Sequence, residues 1–395
     1  MHDVIVIGGG PGGLLTAARL AGAGFDVALF EEHAVTGQPV HCTGVLAVEA
    51  FDEFDLPRTS ILNPLSVARF HSPSGQTISY TTPSTEALVV DRAVFDQNLH
   101  DRARTAGVHM RLGARITSIR VTPDSVSVEA GGKPHSGRAC VLACGANYAL
   151  HRRLGLGMPA AYLRSAQLEI PVDRPGDVEV HFGNDVAPRG FAWVVPVQRR
   201  SGAYARVGLM CDADAAGYFR RFALQVGESW GMHFPADTAV APRQKMLPLA
   251  PLDRTFADRV IAVGDAAGIV KATTGGGIYY SLVSASLAAD VLAPALRNDT
   301  LDAGFLERYQ KLWQRRLGPE LRAQLTLREL AEQMDDDAID GMFELAHTNG
   351  VMPIIRRTAR FNQHRHLIMS LLKHPPARRL LVKELASRVV VSAIG

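Results

Sequence analysis

Asp3-Val4-Ile5-Val6-Ile7-Gly8-Gly9-Gly10-Pro11-Gly12-Gly13 is an apolar run that passes straight into a glycine-rich turn. The β-branched run through Ile7 predicts a strand buried on both faces of a parallel sheet. It enters a G-x-G-x-x-G turn at Gly8, Gly10 and Gly13. A helical pattern follows, with Leu14, Leu15, Ala18 and Ala21 on one side, and closes near Gly22 and Gly24. A second strand, Val27 to Phe30, ends on Glu31. In such a unit Gly8 permits the tight turn, Gly10 lets backbone approach a pyrophosphate, and Gly13 allows close helix–strand packing. The pyrophosphate sits where unpaired helix N–H groups and the dipole favour negative charge. An acid roughly 20 residues on accepts hydrogen bonds from a ribose, and Glu31 holds that place. A lone glycine motif is equally a generic turn. Strand, glycines, helix, strand and acid in that order predict an ADP-containing dinucleotide, without saying which.

The far half of the cofactor site lies some 250 residues downstream. Arg259 to Val263 reads as a buried strand entering Gly264-Asp265-Ala266-Ala267-Gly268. Thr273-Thr274-Gly275-Gly276-Gly277-Ile278 then opens a long helical pattern from Tyr279 to Leu292. Backbone N–H groups at such a turn suit an electron-rich ligand, and a neighbouring acid suits a polyol. Two such turns, each with an acid, favour one FAD stretched between them over a second nicotinamide domain.

These segments resemble the FAD-dependent geranylgeranyl reductase family, within the larger p-hydroxybenzoate hydroxylase-like flavoproteins. VIVIGGGPGG with Glu31 carries the first match. Gly37-Gln38-Pro39-Val40-His41-Cys42-Thr43-Gly44-Val45 is similar to the family's Pro-Val-x-Cys-x-Gly element. Val90 to Asp96 resembles its Asp-Arg-x-x-Phe-Asp element, and GDAAG with TTGGGI supplies the fourth. Pro188 to Pro196 resembles P-x-x-Y-x-W-x-F-P, with Phe191 for Tyr and Val195 for Phe. The similarity spans roughly residues 1–300 by order and spacing.

The resemblance implies an α/β fold, with a Rossmann-type FAD-binding domain of the glutathione-reductase/p-hydroxybenzoate-hydroxylase type. An antiparallel-sheet substrate domain is interleaved with it, and a C-terminal helical region follows. Residues 1–49, 89–149 and 246–299 are assigned to the FAD domain, 50–88 and 150–245 to the substrate domain, and 300–395 to the helical region. Alternating runs such as Ser66 to Tyr80, Ala166 to Ile170, Val178 to Phe182 and Tyr204 to Met210 read as strands of the second sheet. Carried over by position, Gly8, Gly10, Gly13 and Glu31 bind the ADP half of FAD, and Arg92 contacts the cofactor from a helix start. Asp265 binds the ribityl or pyrophosphate region, and Gly275, Gly276 and Gly277 present N–H groups to the flavin. Phe191 and Trp193 line the substrate cavity.

The activity implied is hydrogenation of carbon–carbon double bonds in a polyprenyl chain, with a lipophilic isoprenoid as substrate and NADPH or reduced ferredoxin as electron donor. A monooxygenase or halogenase of the same fold is the alternative. Val141-Leu142-Ala143-Cys144-Gly145 weakens it, because hydroxylases of the wider group usually carry an Asp-Gly pair there. A quinone-linked electron-transfer flavoprotein is a further rival, but no cysteine-rich module follows Gly268.

Composition sets the outer bounds. The 395 residues are 47% hydrophobic and 21% charged, the balance of a folded protein with a sizeable core. A net charge of +3 gives no support to a nucleic-acid partner. Four cysteines without a C-x-x-C pair read as free thiols in a reducing cytosol, and no spacing predicts a metal site. His364 and His366, one residue apart on a helix, point away from each other. No run of about 18 uninterrupted apolar residues predicts a membrane span.

Asp335 to Asp337 reads as a solvated turn. The last 45 residues carry nine Arg or Lys against one acid, Glu384. That pattern reads either as an ordinary solvated face or as a basic amphipathic surface meeting anionic lipid on the inner face of a membrane. Cys42 stays open between buried filler and a reactive thiol that positions or protonates the alkene, with Gly44 leaving room for substrate.

Overall fold

The computed structural model describes residues 1–234, 241–348 and 350–379. Part of the anticipated substrate domain (235–240) and the end of the basic stretch (380–395) lie outside the described residues.

The opening stretch forms the strand His2–Ile7, in which Val4, Ile5 and Val6 are fully buried. It pairs in parallel with Val27–Phe30 on one side and Lys133–Leu142 on the other. Both neighbours cover its edges while helices cover a face, so a continuous apolar run rather than an alternating one is required. His109–Arg111 extends the sheet beyond Val27–Phe30, and Val260–Ala262 and Phe256–Ala257 extend it beyond Lys133–Leu142. The helix Pro11–Gly22 packs on the long helix Ile278–Asn298, which in turn carries Ala303–Ala331. Ile278–Asn298 is long and apolar enough to cross a membrane by length and composition. Its apolar face is instead spent inside the fold, with Leu282, Val283, Ala285, Ala288 and Leu292 buried.

A seven-stranded sheet stands apart, in the order Arg243–Pro248, Tyr162–Pro171, Gly202–Cys211, Phe191–Arg199, Val178–His181, Val67–His71, Thr77–Thr81. Every neighbour pair is antiparallel except Val67–His71 with Val178–His181, which run parallel. Alternation in sequence predicts strands but not partners, so a parallel seam between segments 110 residues apart is invisible at that level. One face of this sheet carries the helix Ala215–Trp230, whose Phe219, Phe222, Val226 and Trp230 are buried. A small third sheet of Val45–Ala47, Ala87–Val90 and Ile61–Leu65 is interleaved in the chain with strands of the seven-stranded sheet.

The stripe expected after residue 300 falls in Ala303–Ala331, with Leu306, Tyr309 and Trp313 buried. The aspartate triplet differs from expectation. It starts the helix Asp336–Thr348: the Asp335 side chain accepts from Ala338 N–H (2.9 Å) and Asp336 accepts from Asn184 N–H (2.9 Å). Acids favour a helix N-terminus because its first N–H groups lack intrahelical partners.

Candidate active site

One cavity of about 1420 Å³ runs from the Gly8 turn, past Cys42 and the Gly275–Gly277 turn, to an apolar wall on the C-terminal helices. Single-ligand pockets are typically about 300–1,000 Å³, so this one has room for a dinucleotide and a second long molecule. Every residue singled out in the sequence lines it: Gly8, Gly10, Gly13, Glu31, Cys42, Gly44, Arg92, Phe191, Trp193, Asp265, Gly275, Gly276 and Gly277.

The ADP end is built by backbone. Gly8 has φ +110°, and a Cβ there would fall 2.3 Å from Ala143 O. A Cβ on Gly13 would fall 2.0 Å from Gly8 O, whereas one on Gly10 would meet nothing within 4 Å. Two glycines are thus demanded by packing, and the third leaves open space at the start of a helix. That helix and Ile278–Asn298 both begin on this cavity, and neither has a side-chain N-cap. Uncapped N–H groups facing an open cradle fit a pyrophosphate and an electron-rich ring edge. The buried Glu31 carboxylate accepts from Gly9 N–H (2.6 Å) and His33 N–H (2.9 Å), so it braces the turn as well as facing the cavity.

Gly12 was not singled out in the sequence, yet a Cβ there would sit 2.4 Å from Ser281 Oγ, and so would one on Gly264. Ser281 therefore locks the two glycine turns together. The second turn is clamped from behind by two residues that no motif announces. Tyr148 OH donates to Asp265 O (2.6 Å), and His151 Nε2–H donates to Ala266 O (2.7 Å). His151 is fully buried, its Nδ1 has no hydrogen-bond partner among the described residues, and burial pushes its pKa down to about 4. The Asp265 carboxylate pairs with Lys245 Nζ at 3.2 Å. Lys271, also missed, is buried beneath Gly276 and donates to Phe361 O (3.0 Å) and Asn362 Oδ1 (3.3 Å). Burial lowers its pKa to about 8 against the opposing pull of Glu49 and Glu320. Lys245 lies on the strand Arg243–Pro248 and Lys271 in the turn before Gly275, and no spacing rule marks either, so only the fold reveals them.

Arg92 opens the helix Arg92–Thr105 directly after its N-cap, Asp91, and grips Asp96 through Nε and Nη2 (3.2 and 2.9 Å). Burial opposes its charge. Asp96, and after it the Cys42 sulfur, more than offset that, and its pKa stands above the usual arginine value.

The loop carrying Cys42 is held by buried polar groups. Arg206 Nη1 donates to Thr43 O and to Val90 O (2.6 and 2.9 Å), while its Nε pairs with Glu169 (2.8 Å). Thr43 Oγ1 donates to Gln167 Oε1 (2.9 Å). Gly44 has φ +69°, and a Cβ there would meet Arg206 Nη1 at 2.6 Å and Val90 O at 2.8 Å. The room that Gly44 leaves is therefore filled by this anchor, although its backbone does line the cavity. Gly44 N–H donates to Cys42 Sγ (3.3 Å), which leaves the thiol hydrogen free for another partner. All four cysteines are free, and burial pushes Cys144 up to about 12.

Phe191 and Trp193 stand on one strand with ring centroids 5.7 Å apart. Gly208 on the neighbouring strand, directly opposite Trp193, makes room for the indole: a Cβ would fall 2.5 Å from its Cζ2. Phe182 links Phe191 to Phe343 on the C-terminal helices, at 6.2 Å to each. Beyond them Met342, Met352, Ile355 and Leu371 continue the apolar wall.

Two glycine turns facing one cavity, each beginning a helix, define an FAD-dependent oxidoreductase. Residues 2–152 match the family model described as pyridine nucleotide-disulphide oxidoreductase. A digeranylgeranylglycerophospholipid reductase of Methanoculleus marisnigri is 30% identical over 87% of this chain and 89% of its own length. That of Methanocaldococcus jannaschii is 29% identical over 87% and 90%. The chain belongs to the FAD-dependent geranylgeranyl reductase family. Among solved structures, a geranylgeranyl bacteriochlorophyll reductase-like protein of Thermoplasma acidophilum superposes with a TM-score of 0.83, at 21% identity and 98% coverage of both chains. Halogenase PltM in complex with phloroglucinol and FAD reaches 0.67 at 17% identity, covering 97% of this chain and 85% of its own. The likeness to these two structures is one of fold.

Proposed function

We propose that this chain hydrogenates carbon–carbon double bonds of a geranylgeranyl-type chain. FAD is held by Gly8, Gly10, Gly13, Glu31, Arg92, Asp265 and the Gly275–Gly277 turn. The observation that carries the reading is the continuity of the cavity. The wall that starts at the glycine turns becomes aromatic at Trp193 and Phe191, then apolar along the C-terminal helices, with Arg360 and His364 on the segment between the last two. A long hydrocarbon gains stabilisation along such a wall, at about 25 cal/mol per Å² of apolar surface removed from water.

Reduced FAD, when bound, supplies a hydride. The protein must align the alkene, exclude water and deliver a proton to the other carbon. An isolated alkene lacks a carbonyl to delocalise charge, so its transition state develops carbocation character. The faces of Phe191 and Trp193 are suited to that charge. Cys42 is assigned the proton or its positioning, because its sulfur lines the cavity and accepts from Gly44 N–H and from Arg92, so that its S–H is the group left to meet substrate. NADPH or reduced ferredoxin supplies the electrons, and the basic C-terminal stretch brings the chain to an anionic lipid surface on the cytoplasmic side.

The test is anaerobic. Reduced flavoprotein mixed with geranylgeranyl lipids should reoxidise its flavin as product gains two mass units per bond. A requirement for oxygen, with oxygen or halogen in the product, would replace this reading with the monooxygenase or halogenase alternative.

A further inference from the structure

The parallel seam of the seven-stranded sheet places a second cluster of chemistry on the face opposite the cavity. In its register His71 lies directly across from His181. Glu179, two residues before His181 on the same strand, shares their face because side chains alternate with period two. The intervening Phe70, Val178 and Val180 point the other way and line the cavity. One ligating atom from each of His71, Glu179 and His181 lies within 4.8 Å of the others. The two imidazoles are stacked, with centroids 4.3 Å apart and planes 14° from parallel.

Two of these groups already meet each other, a contact that a shared metal ion would replace, and the third is held by an outer partner. His181 Nε2 meets Glu179 Oε2 at 3.0 Å. Glu179 also interacts with the Trp230 side chain, and the Phe222 ring stands 5.0 Å from that of His181. Thr77 Oγ1 bonds His71 Nδ1 at 3.2 Å, the usual way to fix the orientation of a metal-binding imidazole through its other nitrogen. Among the described residues, His71 Nε2, in contrast, is buried and has no hydrogen-bond partner. A buried ring nitrogen without a partner is costly, and a second imidazole stacked upon it does not relieve that cost. Arg69, two residues before His71 on the same strand, is already paired with Asp177 at 2.8 Å.

We propose that His71, Glu179 and His181 form a zinc site, with water in the fourth position, that staples the strand Val67–His71 to Val178–His181. Two imidazoles and one carboxylate suit Zn²⁺, with ligand distances of about 2.0–2.2 Å, whereas Ca²⁺ and Mg²⁺ prefer all-oxygen sets. The glutamate and His181 side chains keep 18% and 13% of their exposure, which leaves an entry path. The metal sits behind the cavity wall with its fourth position open to water, and it holds in register two strands more than 100 residues apart in the chain. A more exposed trio, His2, Asp26 and His109, is the competing cluster and serves as the control.

The test uses the full-length flavoprotein, stripped with chelator, titrated with ZnCl₂, gel-filtered and assayed for metal by mass spectrometry. Wild type and His109→Gln should retain one zinc per chain. His71→Gln and Glu179→Gln should weaken zinc binding at least about 100-fold while retaining bound flavin, more than loss of an outer partner costs. Should either variant fail to fold, the tetrahedral d–d spectrum of Co²⁺ in wild type, displaced by one equivalent of zinc, supplies the same evidence. Absence of stoichiometric zinc in wild type would overturn the proposal. So would loss of zinc in His109→Gln with retention in His71→Gln.

Discussion

His151 makes the stability of the cofactor turn depend on pH, and the dependence can be worked through. Its Nε2–H is committed to Ala266 O, and among the described residues no acceptor stands ready for the N–H that protonation would create at its buried Nδ1. Protonation would therefore place an unpaired N–H and a charge inside the core, and its pKa falls from about 6.5 to about 4. Above pH 6.5 neither the folded nor the unfolded chain protonates this residue, and stability is undiminished. As pH falls from 6.5 towards 4, the unfolded chain binds a proton that the folded chain refuses, so stability drops. At about 1.4 kcal/mol for each tenfold change in proton affinity, the full loss is about 3 kcal/mol, most of it by pH 4.5. His364, also pushed down to about 4 by burial, adds to the same slope. His151→Gln retains a side-chain N–H donor for Ala266 O and removes the titration. Urea unfolding of wild type and variant at fixed FAD concentration, from pH 7 to 4.5, measures the difference. The variant should lose about 2–3 kcal/mol less than wild type across that range. Parallel pH profiles would refute the assignment of this term to His151.

Three further outcomes follow from the same geometry. Gly13→Ala, whose Cβ would sit 2.0 Å from Gly8 O, should destabilise by about 3 kcal/mol or more and abolish FAD retention on gel filtration. Gly208→Ala should displace the Trp193 ring, leaving FAD affinity within a few-fold of wild type while lowering prenyl turnover by about 100-fold; fluorescence of bound flavin and single-turnover kinetics separate the two. Cys42→Ala should leave FAD binding and flavin reduction intact and slow alkene reduction by about 100-fold or more. Unchanged turnover there would return Cys42 to the status of packing.

Much of the cofactor end was legible because its requirements are local. A tight turn, a close approach and a helix start are each met by residues a few positions apart, so VIVIGGGPGG with Glu31 announces them. Gly12, Ser281, Tyr148 and His151 serve the same two turns but were silent in the sequence. Each acts on a segment more than 100 residues away, and no spacing rule records such an encounter. Gly44 illustrates a role that changed: glycine is required there by Arg206 and Val90 O, a demand that appears only when the strand Gly202–Cys211 comes alongside.

The class of cofactor and the order of its binding elements are legible along the chain, because phosphate and ribose recognition is built from contiguous backbone and a single acid. That these elements share one cavity with Trp193, Phe191 and the apolar C-terminal wall emerges from the folded arrangement. The same arrangement runs Val67–His71 parallel to Val178–His181, bringing His71, Glu179 and His181 onto one face. The physical reason is the same in both cases. Strand pairing and helix docking are settled by global burial of apolar surface, which no local pattern encodes.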